Sequence, residues 1–222
     1  MKKELKLMIN IIKATPKIKQ KIYYSVIAVF LGIISDICSA SYNNAGGLIV
    51  LNGAIILYQC IMVVSGSDIV QSSSAAKKLQ TVYPFFILLP AQIIVFTLLS
   101  IYRVYLASKP MNDMTQPKNY AVQCEHILII SLVFFVTMIC EIIMQKFYVF
   151  GIITFVILVV PLILYSDSNA LISNFFSSIT LTDSILSGLL IIIAGSLLAI
   201  LTANLLYNHP IADQIIKLNN KA

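Results

Sequence analysis

Six apolar stretches, at roughly 22–40, 48–66, 83–106, 124–144, 148–166 and 184–207, fill most of this 222-residue chain. Each is close to the ~20 residues a helix needs to cross a ~30 Å hydrocarbon core at about 1.5 Å per residue. The rest is divided among two termini and five short connections, too little to fold as a separate soluble catalytic domain. The expected fold is all-α: one polytopic domain over 1–222 with six transmembrane helices. Composition agrees, since 59% of residues are hydrophobic and only 11% charged, against about 25% charged in soluble domains.

The net charge of +6 reads as topology rather than as nucleic-acid binding, because seven of the fifteen basic residues (Lys2, Lys3, Lys6, Lys13, Lys17, Lys19, Lys21) precede the first span. With an internal N-terminus and six spans, the C-terminus is internal as well. Twelve of the fifteen basic residues then lie inside, and only Arg103, Lys109 and Lys118 lie outside. Basic residues near span ends resist translocation, so a multi-pass protein of the cell membrane with both termini cytoplasmic is expected. The first span is expected to be retained, since no cleavage-like small-residue site closely follows a short apolar core.

Before that span, Leu5, Met8, Ile9 and Ile12 share one side of a helical projection while Lys3, Lys6, Asn10 and Lys13 share another. This is the pattern of an amphipathic helix lying on membrane lipid. Pro16 and the lysines after it break or bend that helix before Tyr23 and Tyr24, which stand where an aromatic belt would.

Between the second and third spans, Ser67 to Thr81 is too long and polar for a minimal turn. Asp68 and Gln71 have the spacing of a helix-capping pair, Ser74 and Ala75-Ala76 follow, and Lys77-Lys78 suit the negative end of a helix. A short helix on the cytoplasmic surface is expected here.

In this layout the chain resembles the type-2 permease subunits of ATP-binding-cassette transporters. Shared features are the basic amphipathic helix, the six spans, the polar and basic run 72–81 followed by Pro84, and a longer external segment between spans five and six. The likeness covers nearly the whole chain. It implies that the 67–81 helix is a coupling helix, with Asp68, Gln71, Ser74, Ala75, Lys77 and Lys78 at the contact with a cytoplasmic ATP-binding-cassette ATPase. It also implies a second permease copy or related chain as partner, with substrate, expected to be exported, passing between the two.

The external segment 167–183 places Leu171, Ile172, Phe175, Phe176 and Ile179 at helical spacing among polar residues, a pattern that suits a dip into the outer leaflet. Pro90 and Pro161 permit kinks in the third and fifth spans. In the sixth span Gly195, Ala199 and Ala203 recur every four residues, and Gly188 and Ser184 extend the stripe, which favours close helix packing. Charges at or within spans are few: Asp36 and Arg103 at similar depth, Glu125 with His126 at the outer start of the fourth span, and Glu141 near its inner end. Structural pairing or interfacial exposure is the simplest reading of these. The four cysteines, Cys38, Cys60, Cys124 and Cys140, have no metal-ligand spacing and read as apolar packing residues, although Cys38 and Cys124 both fall near the outer face and a disulfide between them is left open.

No phosphate loop, HExxH or GxSxG motif occurs, and His126 and His209 stand apart in sequence. No catalytic residue, metal or cofactor is therefore expected, and any pumping must draw on a partner's ATP hydrolysis. Two other classes stay open: a membrane substrate-binding component or ion-coupled carrier, which needs a cavity within one bundle, and a non-transport immunity or assembly factor.

Overall fold

The computed structural model describes residues 9–10, 13, 15, 17–38, 45–65, 70, 72, 76–109, 116–165 and 179–215. Among these, the main elements are helices α1 (Ile18–Cys38), α2 (Ala45–Ser65), α3 (Ala76–Thr81), α4 (Phe85–Ala107), α5 (Gln116–Lys146), α6 (Tyr148–Tyr165) and α7 (Leu181–Leu205), and no strand is present. A long helix thus covers each apolar stretch of the sequence. Among the described residues, four segments are long and apolar enough to cross a membrane: Ile18–Ser35, Ala76–Ala107, Asn119–Lys146 and Leu181–Leu205. The apolar parts of α2 (Gly46–Met62) and α6 (Tyr148–Leu162) are shorter.

The helix ends follow local chemistry. Lys17 has a left-handed φ of 54°, which turns the chain just before α1. The start of α7 lies three residues before the expected 184, because Thr180 is its N-cap: the hydroxyl accepts from Asp183 N at 3.1 Å and donates to the Asp183 carboxylate at 2.6 Å. The α5 helix extends well beyond 124–144, with Pro117 in its first turn, where a missing N–H costs nothing. Asn119 on this extension donates to the carbonyls of Leu106 and Lys109 at 3.0 and 3.3 Å, satisfying acceptors at the end of α4. Pro90 and Pro161 both lie within uninterrupted helices.

Helix α5 is the centre of the bundle, packed against α4, α6 and α7, with α2 in contact as well. Leu51 and Ile55 from α2, Phe96 and Leu99 from α4, Ile127 and Phe134 from α5 and Ile192 from α7 share one buried cluster. A second cluster, toward the α3 end, joins Tyr58, Leu88, Met138, Ile142, Ala199 and Ala203. Outside the core, α1 packs extensively only on α2, and α6 only on α5. Only Phe147 separates α5 from α6, and α6 folds back so closely that a Cβ on Gly151 would stand 2.6 Å from the backbone of Met144.

The small-residue stripe of α7 faces inward. Gly188 lies against Phe96 of α4 and Gly195 against Phe135 of α5, while Ala199 and Ala203 are buried. On the opposite face Leu190, Leu197, Leu201 and Leu205 are exposed. Small residues inward and leucines outward is the arrangement of a helix surrounded by lipid, where packing rather than water exclusion holds helices together.

Candidate functional site

Two groups of buried polar side chains stand out, both organised by α5. The first closes the end of the bundle at which α3 lies. Lys146, the last residue of α5, donates to Gln80 Oε1 of α3 at 3.0 Å and to the carbonyl of His209 at 2.7 Å. Gln80 in turn donates to the Ser65 carbonyl at the end of α2 at 3.3 Å. The segment after α7 is fixed by Ala212 N, which donates to the Gln145 carbonyl at 2.9 Å, and by the His209 ring, 5.0 Å from that of Phe147. Four parts of the chain are thereby tied to one ammonium group. Because Val82, Tyr83 and Phe85 continue the turn from α3 into α4 through bonds to Lys78 and Val82 carbonyls, α3 and α4 are mechanically continuous.

The second group lines a cavity of about 250 Å³ within the bundle, between α2, α5 and α6. Its polar walls are the buried Thr137 and Glu141 with the exposed Asn52, whose amide donates to the Leu48 carbonyl at 3.2 Å, and its apolar walls include Ile55, Ile152 and Phe155. Glu141 is 7% exposed and accepts one long bond, 3.4 Å, from Gln59 Nε2. Thr137, one turn away on the same face of α5, is 2% exposed, and its hydroxyl has no partner among the described residues. Among the described residues, no lysine or arginine lines the space. A larger apolar groove of about 330 Å³ between α1, α2 and α4 differs in chemistry, since its Ser25 hydroxyl already donates to the Gly53 carbonyl at 2.8 Å.

The remaining residues singled out in the sequence are placed as follows. Lys77 and Lys78 are exposed on α3, with the Lys77 ammonium 5.8 Å from the Tyr207 ring. Asp68, Gln71, Ser74 and Ala75 lie outside the described residues, as do most of the amphipathic N-terminal segment and 166–178. Arg103 is fully buried in α4 within electrostatic reach of His126, and Glu125 is half-buried. The Asp36 backbone is helical, but its side chain, and so its pairing with Arg103, lies outside the described residues. Cys38 and Cys124 are both free thiols: Cys38 is exposed, and Cys124 is buried with its Sγ 3.5 Å from the Ile179 carbonyl. Lys21, counted among the basic residues that set topology, is buried near Cys60 of α2.

Sequence reasoning passed over Asn52, Gln59, Gln80 and Thr137, and gave Lys146 only a topological role. A signal for part of this was present: Thr137, Glu141 and Gln145 recur every four residues, a polar stripe on one face of an apolar helix. Among known proteins, no family model matches this chain, and neither a curated protein nor a solved structure does.

Proposed function

We propose that the chain is a permease subunit of an ATP-binding-cassette transporter, one half of an export pathway completed by a second permease copy or related chain. The observation that carries this reading is the Lys146 junction. A short surface helix that is to pass force from a soluble ATPase must be held to the long helices, and Lys146 and Gln80 hold α3 to α2, α5 and the segment after α7. In this reading α2 and α6 also cross the membrane, giving six spans, and the charge distribution puts α3 and both termini in the cytoplasm of a cell-membrane protein. The exposed Lys77 and Lys78 then face the ATPase. In K77E/K78E, ATP hydrolysis copurifying with the chain in mild detergent is expected to fall to background, while membrane insertion and melting temperature stay unchanged. Substrate accumulation by the chain alone in liposomes, driven by an ion gradient with no ATPase present, would overturn the reading.

A second reading, the substrate-binding component or ion-coupled carrier, is favoured by one specific observation. It requires a cavity within a single bundle, and the Glu141 cavity meets that requirement. The same liposome experiment separates the two.

A further inference from the structure

We propose that the cavity between α2, α5 and α6 binds a small amphipathic cation, an amine on an apolar body, with Glu141 as its charge partner. Three observations carry this. Glu141 is a buried carboxyl with one weak hydrogen bond, and no basic residue is among the described residues of the cavity wall, so nothing in that wall balances the charge it carries when ionised. Thr137, one turn away on the same wall, adds a second buried polar group, a hydroxyl without a partner among the described residues. Apart from Asn52, the rest of the described lining is apolar.

Competing occupants fit less well. An anion would meet the Glu141 carboxyl with no basic side chain among the described residues of the wall to attract it. A calcium ion needs six to eight oxygen ligands, and the cavity offers three oxygen-bearing side chains with apolar walls around them. An ammonium brings three donors, and the Glu141 carboxylate is the acceptor that matches its charge, with the exposed Asn52 amide at the rim of the same space. The volume of about 250 Å³ lies just below the usual range for drug-sized ligands, which matches a compact organic solute. Access is lateral, because α6 packs extensively on α5 but not on α2, leaving the gap between α2 and α6 on the apolar flank of the bundle. A molecule that partitions into a bilayer can reach the site by that route.

The site belongs to the chain alone, so its test is independent of ATPase docking. Radiolabelled 2-phenylethylamine is the probe, added to the full chain in nanodiscs of phosphatidylcholine and phosphatidylglycerol, which contain no primary amine. Saturable binding is expected, with 2-phenylethanol at least tenfold weaker as a competitor and 3-phenylpropionate inactive. Glu141→Gln is expected to weaken probe binding at least tenfold at an unchanged melting temperature. Repeating the titration with phosphatidylethanolamine present distinguishes the two sources of amine: competition by the lipid assigns the site to a headgroup amine, and unchanged binding assigns it to a free solute, both within the proposal. Equal displacement by the alcohol, unchanged binding in Glu141→Gln, or no saturable binding would overturn it. If Glu141→Gln does not fold, the amine, alcohol and acid series on the unaltered chain still decides.

Discussion

Lys146 and Glu141 lie five residues apart on α5, about 7.5 Å along the helix axis, and both are buried, yet their surroundings differ completely. Lys146 sits where four chain segments meet and makes bonds of 3.0 and 2.7 Å. Glu141 faces a void and has one bond of 3.4 Å. The desolvation of a buried charge is offset only where geometry and hydrogen bonding are good. By that criterion Lys146 is a fastening, and Glu141 is a charge held ready for something the chain itself does not supply. The contrast separates two kinds of intramembrane charge that look alike in a sequence.

The largest expected effect comes from undoing the fastening. In Lys146→Met the apolar stem is kept, but Gln80 Oε1 loses its donor in a buried setting and the His209 carbonyl in a half-buried one. Each buried acceptor left without a partner costs about 1–3 kcal/mol, so a total loss of about 2–4 kcal/mol is expected. Thermal melting of the purified chain in detergent should show it, and amide exchange in α3 should rise more than in α4. Unchanged exchange in α3 would mean that Lys146 does not hold that helix.

A smaller effect is expected where packing alone is disturbed, away from both charges. A Cβ on Gly195 would lie 3.2 Å from the Cβ and Cγ of Phe135 and still closer to its Cδ2. In Gly195→Val the overpacking should cost about 1–3 kcal/mol by forcing α7 from α5. By comparison, a Cβ on Gly47 meets only the flexible Cδ1 of Leu99, so Gly47→Ala should melt closer to the parent chain. If Gly195→Val is as mild as Gly47→Ala, the α5–α7 contact is looser than the buried stripe implies.

The α7 stripe was legible in advance because a four-residue repeat of Gly and Ala in an apolar span has few other uses. The long helices were legible for a similar reason, since an apolar stretch in lipid must satisfy its backbone internally. The start of α7 was also written in the chain as Thr180-Leu181-Thr182-Asp183, a capping pattern hidden by its apolar context. The two polar sites were not legible. Gln80 and Lys146 are 66 residues apart, and nothing in their local spacing reveals that they meet. The cavity depends on how α6 sets back against α5 beside α2, a tertiary offset that periodicity along any one helix does not encode.

The smallest expected effect is also the sharpest test of the contrast. Glu141→Gln preserves side-chain size and an oxygen that can accept from Gln59, while removing a buried negative charge. What is lost is one hydrogen bond that was long to begin with, and what is relieved is the desolvation of the carboxylate. Stability is therefore expected to change by less than about 1 kcal/mol, in either direction. Because Lys146 and Glu141 share no partner among the described residues, the double variant with Lys146→Met should melt as the sum of its parts, to within about 0.5 kcal/mol. A loss in Glu141→Gln as large as in Lys146→Met would make Glu141 a second fastening. It would then have a structural partner in the bundle, and the difference between the two charges on α5 would disappear.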